Sequence, residues 1–152
     1  MKQRIYIDTS VVGGYFDSMF AEITKDFFSK VIETKTILVV SNLLTAEVNQ
    51  APESVVNFFN SLPKELIENI NISDEAEKLA NLYIKEKVVG ESSRDDCLHI
   101  ACATENNVSV LVSWNFKHIV NLPKIRGYNS INTREGYHIL EIRNPKEIFK
   151  DE

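Results

Sequence analysis

The stretch TILVVS, residues 36–41, is the part of the sequence that decides the fold. Its residues are apolar and β-branched almost throughout, which is typical of a strand that is covered on both faces. A similar stretch, VSVLVS, spans residues 108–113, and a shorter one, RIYI, spans residues 4–7. Such strands belong to parallel sheets that carry helices on both sides. We therefore predict an α/β fold, a three-layer α/β/α sandwich around a mainly parallel sheet.

Helical patterns separate these strands along the chain. Residues 21–35 carry apolar side chains at helical spacing. Ser41 is a candidate N-cap for a helix that ends near Gln50, and Ser73 for one that ends near Val88. Further helices are predicted from about residue 10, over 51–63 and over 95–106. The remaining predictions are a short edge strand within 65–72, a late strand over 137–142 and a helical turn from residue 145.

The composition is that of a globular protein. The chain has 152 residues, of which 43% are hydrophobic and 26% charged, and it shows no repeat or flexible linker. We therefore predict a single domain over residues 1–152. No apolar run approaches the roughly 18 residues that a membrane span needs, and the first residues lack a signal-peptide pattern, so no membrane association is expected.

The charged residues and cysteines narrow the function further. A net charge of −5 is unlike that of a protein that coats nucleic acid, so a polyanionic substrate would need local cations. Cys97 and Cys102 lie five positions apart in a predicted helix, a spacing that suits buried thiols better than a disulfide. We therefore expect the protein in the cytoplasm.

Asp8 ends the first predicted strand, where a carboxylate is costly unless something compensates its charge. The carboxyl ends of parallel strands meet at one edge of a sheet, and ligands bind there. The simpler interpretation is a helix N-cap or turn residue. The position of Asp8 alone does not decide between the two.

Further polar residues fall on the same rim. Glu47 lies six residues after a predicted strand, Asp95 and Asp96 open a helix, and Ser113 and Asn115 follow another strand. Each acid alone is consistent with a helix-dipole partner. Together, converging carboxylates repel one another, and hard divalent cations are their usual compensation. This pattern favours a Mg²⁺ site of the kind that hydrolyses phosphodiesters.

Four motifs resemble, in the same order, those of PIN-domain ribonucleases: IYIDTSVVGGYF, SNLLTAEV, DDCLHIACA and VLVSWNFKHI. The segment INTREGYHILEIRNPKEI is similar to the ending of one bacterial branch of that family, which includes toxins of toxin–antitoxin pairs. The resemblance implies a PIN-like α/β/α fold and a Mg²⁺- or Mn²⁺-dependent endoribonuclease that hydrolyses RNA. It also implies that a homodimer and a small antitoxin partner are common.

Position by position, the resemblance implies that Asp8, Glu47 and Asp96 hold the metal ion and orient water. Asn115 stands where many members carry a fourth acid, and Ser113 matches their small hydroxyl residue. Both are expected to help position water or phosphate. Because an amide adds no negative charge, a second metal site is expected to be weaker here. Asp95 either compensates for that charge or caps its helix.

Other residues with ligand chemistry are expected to be structural. A helix places Cys97 and Cys102 about 140° apart, so these thiols and His99 cannot share one tetrahedral Zn²⁺. We predict that all three pack in the core. His99 lies one turn beyond Asp96 and could hydrogen-bond a site carboxylate, but a structural role is favoured. No serine or cysteine has an evident histidine base, so nucleophilic catalysis is not indicated.

Two other functions remain open. A degenerate PIN domain that binds RNA or protein without cleaving it is favoured by Asn115 and by the acidic balance. A phosphotransfer domain is disfavoured, because the DTS motif lacks the second acid of a DxD phosphatase motif. Arg94 and Lys117 are candidates for phosphate contacts. Gly13 and Gly14 form no phosphate loop and are expected to break the first helix or to permit close packing.

Overall fold

The computed structural model describes residues 3–149 and contains one parallel sheet of five strands within that range. The strands are β1 (Arg4–Ile7), β2 (Ile37–Ser41), β3 (Ile67–Ile70), β4 (Val110–Val112) and β5 (Ile142–Arg143). Their order in the sheet is β3-β2-β1-β4-β5, and each pairing is parallel. The predicted α/β class with a parallel sheet is therefore confirmed, as is the edge strand within 65–72.

Helices connect the strands and cover both faces of the sheet. They are α1 (Thr9–Gly14), α2 (Ala21–Thr34), α3 (Asn42–Asn49), α4 (Glu53–Ser61), α5 (Asp74–Lys85), α6 (Arg94–Glu105) and α7 (Leu122–Arg134). Short 3₁₀ turns cover Lys64–Leu66, Glu91–Ser93 and Pro145–Glu147. Within residues 3–149, none of the helices combines the length and the hydropathy that crossing a bilayer requires.

The alternation of strand side chains divides the core into two layers. Tyr6 and Leu111 face the side of the sheet that carries α5, α6 and α7. Ile5, Ile7 and Val112 face the opposite side, with α1, α2 and α4. All five are completely buried, and each such apolar side chain contributes roughly 1.5–3 kcal/mol by leaving water. This two-sided burial explains why the strands are apolar throughout.

Two predicted helix caps are present. The Ser41 hydroxyl accepts a hydrogen bond of 3.2 Å from the backbone N–H of Leu44, at the start of α3. The Ser73 hydroxyl accepts one of 3.0 Å from Ala76, at the start of α5. Both satisfy donors that a helix leaves unpaired, and both fix where the chain leaves the carboxyl rim of the sheet.

Gly14 allows α1 to pack closely against the segment after β4. A Cβ atom added at Gly14 would lie 2.7 Å from Cδ1 of Trp114, whereas one added at Gly13 would meet nothing within 4 Å. The expectation of close packing is therefore confirmed for Gly14. The contact brings the residues after β1 and after β4 together at the same rim.

The helix α7 is a feature that the sequence patterns above miss. Its buried residues are Tyr128, Ile131 and Asn132, a short and partly polar set. The Asn132 side chain accepts a hydrogen bond from the Tyr83 hydroxyl and donates one of 3.3 Å to Thr104 Oγ1. Because this buried residue is an asparagine, the inward face of α7 looks like a polar surface in the sequence.

The late strand predicted over 137–142 is wrong in extent, since β5 begins only at Ile142. The Asn129 side chain explains the shortening. It donates a hydrogen bond of 3.0 Å to the Leu140 carbonyl and accepts one of 2.7 Å from the Leu140 N–H. Both backbone groups of Leu140 therefore pair with a side chain of α7 rather than with a strand.

Candidate active site

Asp8 lies at the centre of the carboxyl rim, directly after β1 and beside the end of β4. Its side chain is 4% exposed, and both carboxylate oxygens accept hydrogen bonds. Ser10 Oγ donates to Oδ1 at 2.5 Å, and Ser113 Oγ donates to Oδ2 at 2.6 Å. Although Asp8 precedes α1, its side chain makes no capping hydrogen bond. Asp8 is therefore the N-cap residue of α1 by position and backbone conformation, while its carboxylate is held by the two serine hydroxyls.

The two serine hydroxyls are themselves fixed by the backbone. Ser10 Oγ accepts a hydrogen bond of 2.9 Å from the Trp114 N–H, and Ser113 Oγ accepts one of 2.9 Å from the Asn115 N–H. Each hydroxyl therefore directs its proton at the carboxylate. Burial raises the pKa of Asp8, while the positive field of His99 and the two hydroxyls oppose that rise.

Glu47, on α3, is held through one of its oxygens. Its Oε1 lies 2.7 Å from the Thr9 hydroxyl, which donates to it, and 2.8 Å from Nε2 of His99. The hydrogen bond from His99 lowers the pKa of Glu47, and the one from Thr9 adds to this against the effect of burial. Glu47 is therefore ionised and oriented at the rim.

His99 lies on α6 beneath the rim, with 3% of its surface exposed. Its Nδ1 atom lies 2.6 Å from the Tyr6 hydroxyl, which in turn lies 2.9 Å from Ser41 Oγ. The ring is buried, as the sequence analysis predicts. The ring also contacts the Glu47 carboxylate, which is the alternative that the sequence analysis left open beside a structural role.

Asp96 stands in the first turn of α6, half-buried. Burial raises its pKa, and the negative charge of Asp8 raises it further. The charges of His118 and His99 and the neighbouring Asn115 side chain act in the opposite direction. Asp8 and Asp96 therefore lie in the same electrostatic field and repel each other when both are ionised.

Asn115 has its side-chain oxygen engaged in a turn. Oδ1 accepts hydrogen bonds of 3.1 Å from the Lys117 N–H and of 2.9 Å from the His118 N–H. The same turn carries Lys117, which is exposed, and His118, which acts electrostatically on Asp96. The Asn115 side chain therefore stabilises the loop beside the acids in the absence of any ligand.

Several other candidates lie away from this group. Asp95 is exposed, and the exposed Arg94 hydrogen-bonds the side chain of Asn81. Cys97 and Cys102 are free, buried thiols, and burial raises the pKa of each to about 12. The prediction of a core role for both cysteines is confirmed.

Neither a protein-family model nor a curated protein matches the sequence, whereas solved structures match the fold. VapBC2 from Rickettsia felis, bound to a DNA fragment from its promoter, matches with a TM-score of 0.57 and 15% identity, over 93% of this chain and 98% of that one. FitAcB from Neisseria gonorrhoeae matches with a TM-score of 0.60 and 12% identity, over 95% of this chain and 99% of that one. The chain has the PIN-domain fold.

A third PIN-domain match is VapC20 of Mycobacterium tuberculosis, a toxin that cleaves the sarcin–ricin loop. Its TM-score is 0.56 and its identity 15%, over 74% of this chain and 91% of that one. At these identities the likeness establishes the fold alone. It confirms the PIN-like architecture that the four sequence motifs imply.

The donor chemistry of this PIN-domain rim suits a hard divalent cation. Asp8, Glu47 and Asp96 supply only carboxylate oxygens, which Mg²⁺ and Mn²⁺ prefer over nitrogen or sulfur. Across residues 3–149, however, no three His, Cys, Asp or Glu side chains are already gathered closely enough to hold an ion. The donor set therefore fits the ion in kind, and binding requires the side chains to close on it.

Four residues of the rim are missing from the sequence-based candidate site. Thr9 and Ser10 follow Asp8 directly, and their hydroxyls next to a strand-end carboxylate were an available signal. His99 stands three positions after Asp96, on the same face of a helix. Tyr6 gave no comparable signal, because an aromatic residue in a buried strand is ordinary core.

Proposed function

We propose that this PIN-domain protein is a metal-dependent endoribonuclease that hydrolyses RNA phosphodiester bonds. In this proposal Asp8, Glu47 and Asp96 hold Mg²⁺ or Mn²⁺. The observation that carries it is the buried Asp8 carboxylate, which is oriented by two hydroxyls and repelled by Asp96. A nearby cation strongly stabilises a carboxylate that is buried and repelled by a second carboxylate.

Two of the three acids are oriented by separate sets of hydrogen bonds. Ser10 and Ser113 aim Asp8, while Thr9 and His99 aim Glu47. When bound, Mg²⁺ or Mn²⁺ activates the attacking water and stabilises the leaving oxygen. Because Asp8 and Glu47 are already oriented without metal, these two side chains need less reorganisation when the three acids close on the ion.

The loop after β4 supplies a cationic group, Lys117, for the substrate. Asn115 caps the turn that carries Lys117 and His118, and His118 acts electrostatically on Asp96. The whole chain has a net charge of −5, so RNA binding depends on such local cations and on the bound metal. In this proposal Ser113 acts on the substrate only through Asp8, and Asn115 through this loop.

We further propose that the protein is the toxin of a toxin–antitoxin pair, with a small antitoxin as a partner and a homodimer as its assembly. Its fold likeness to the toxin VapC20 and to the VapBC2 and FitAcB proteins supports this role. Exposed apolar side chains offer surface for such contacts, among them Phe16 (45% exposed), Met19 (78%) and Phe116 (45%).

The test uses purified, metal-free protein and ribosomal RNA, with and without Mn²⁺. We expect cleavage that requires the metal and falls by a factor on the order of 100 or more in Asp96→Asn. The matched control is Asp95→Asn, which removes the adjacent exposed acid and should retain activity. Equal losses in the two variants, or none in either, would contradict the proposed site.

A second candidate function is a degenerate PIN domain that binds RNA or protein without cleaving it. Two observations favour it: the engaged oxygen of Asn115, and the lack of a ready three-ligand cluster within residues 3–149. Calorimetric titration with Mn²⁺ separates the two candidates. RNA binding without Mn²⁺ binding supports the non-catalytic function, whereas Mn²⁺ binding that Asp96→Asn weakens supports the nuclease.

A further inference from the structure

We infer that His99 is a positioning residue that holds Glu47 in the orientation required at the rim, an inference that rests on the proposed metal-dependent function. The imidazole lies between two polar partners, with Nδ1 2.6 Å from the Tyr6 hydroxyl and Nε2 2.8 Å from Glu47 Oε1. The ring is 3% exposed, so water does not compete for either contact.

The proton arrangement makes Nε2 the donor to Glu47. If the Tyr6 hydroxyl donates to Nδ1, a neutral ring carries its proton on Nε2. If Tyr6 instead donates to Ser41 Oγ, Nδ1 must be protonated, and Nε2 needs a proton of its own to face a carboxylate. The remaining arrangement would set a bare ring nitrogen 2.8 Å from the Glu47 oxygen, two acceptors in contact. The assignment of Nε2–H therefore holds for a neutral and for a charged ring.

The two carboxylate oxygens of Glu47 differ in their hydrogen bonding. Oε1 accepts from both His99 and Thr9, whereas Oε2 accepts no hydrogen bond from any residue within 3–149. A carboxylate fixed through one oxygen presents the other as a ligand with little freedom left to lose. Thr9 follows Asp8 directly, so its hydrogen bond also fixes the position of Glu47 relative to the end of β1.

One ring connects the three elements that carry the acids. Tyr6 belongs to β1, which ends next to Asp8, Glu47 belongs to α3, and His99 shares α6 with Asp96. A shift of the ring would therefore misplace Glu47 relative to both other acids.

The test compares two polar replacements in the full chain. His99→Gln places an amide N–H near the position of Nε2 and keeps a donor for Glu47, whereas His99→Asn reaches only the Nδ1 side. By Mn²⁺ calorimetry, we expect His99→Asn to weaken binding about 10–100-fold and His99→Gln to recover most of that loss. His138→Asn, at an exposed histidine, is the control and should leave the affinity unchanged. Equal affinities in wild type and His99→Asn would overturn the inference.

A second measurement, on the wild-type protein without metal, separates this inference from the proposed function. Imidazole nitrogen NMR should show His99 protonated on Nε2, and Glu47→Gln should shift that resonance. A neutral ring protonated on Nδ1 overturns the positioning role, even if a His99 variant fails to fold. If wild type binds no Mn²⁺, the metal-dependent function fails, while the same spectrum still decides whether His99 holds Glu47.

Discussion

Ser113 donates a hydrogen bond of 2.6 Å to Asp8, across the ends of two adjacent parallel strands. The register of those strands pairs Ile7 with Val112, so the next residue of each chain segment is brought to the same level. A buried charge at this level requires a partner, and the register supplies a hydroxyl. The position of the candidate site thus follows from the pairing of β1 with β4.

Burial raises the pKa of Asp8, so we expect its charge to destabilise the metal-free protein. We expect Asp8→Asn to raise stability by about 1 kcal/mol, or roughly 2–4 °C in Tm for a chain of this size. The new amide can be accommodated because Ser10 Oγ lies 3.3 Å from Ser113 Oγ, so one hydroxyl can redirect its proton to the other. Calorimetric melting in EDTA at pH 7.5 measures the effect. A lower Tm would show that the hydroxyls compensate the charge fully.

The gain from Asp8→Asn should depend on pH. The pKa of Asp8 is raised in the folded protein above its ordinary value of 3.8, so the ionised form is the one that folding disfavours. The penalty is present above the folded pKa and disappears as pH falls toward 3.8. Melting curves from pH 7.5 to pH 4 should therefore converge for wild type and variant. A gap that widens on acidification would contradict this assignment.

Mn²⁺ should stabilise the wild-type protein, because an ion bound only to the folded state shifts the unfolding equilibrium. At a free concentration 100 times Kd the gain is about 2.7 kcal/mol. Asp8→Asn should abolish most of that increment while keeping its higher metal-free Tm. Thermal melts with and without Mn²⁺ measure both effects, and an undiminished increment in the variant would place the ion elsewhere.

Asn115→Asp should tighten Mn²⁺ binding, because it adds a negative charge beside Asp96. Without metal the same charge adds repulsion to a carboxylate whose pKa burial and Asp8 already raise, so we expect a lower metal-free Tm. One oxygen of the new side chain still accepts from the N–H groups of Lys117 and His118, which preserves the turn. Calorimetric titration gives the affinity directly. Unchanged or weaker binding would exclude residue 115 from the metal's surroundings.

Gly14→Ala should destabilise the protein by about 1–3 kcal/mol through overpacking. The added methyl would lie 2.7 Å from Cδ1 of Trp114 and 3.0 Å from Thr24 Oγ1. The indole cannot retreat easily, because it stacks on Phe20 with ring centroids 4.2 Å apart and its Nε1 donates to Thr24 at 2.9 Å.

Gly13→Ala is the matched control for this substitution. It lies in the same helix, with nothing within 4 Å of the added Cβ, and should stabilise the protein by about 0.5–1 kcal/mol. Chemical denaturation of both variants tests the pair. Similar changes in the two would mean that the Trp114 contact is not tight in solution.

The sequence was sufficient to predict the strands that bury apolar side chains and the helices that begin with a capping residue. The apolar strands β1, β2 and β4 and the capped helices α3 and α5 were predicted, because burial and capping are local patterns. The helix α7 was missed although Asn121 and Pro123 are start signals, since its inward face includes Asn132. That asparagine is satisfied by Tyr83 and Thr104, partners that are distant in the sequence.

In the candidate site, too, some features could be predicted from local sequence and others could not. The positions of Asp8, Glu47 and Asp96 on the rim follow from strand ends and helix starts, which a sequence displays. The role of His99 depends on the distances from its ring to Tyr6 and to Glu47, residues 93 and 52 positions away. The spacing after Asp96 brought His99 within reach of a site carboxylate, but no local pattern identifies Glu47 and Tyr6 as its partners.

The central strand β1 is paired on one side with β2 and on the other with β4, whose residues are made about 105 positions later. During synthesis, one edge of β1 therefore has no partner strand until β4 has left the ribosome. Until then Asp8 has no Ser113 to hold it. A nascent chain that ends before Ser113 lacks the assembled rim, so the site forms only after β4 has been translated.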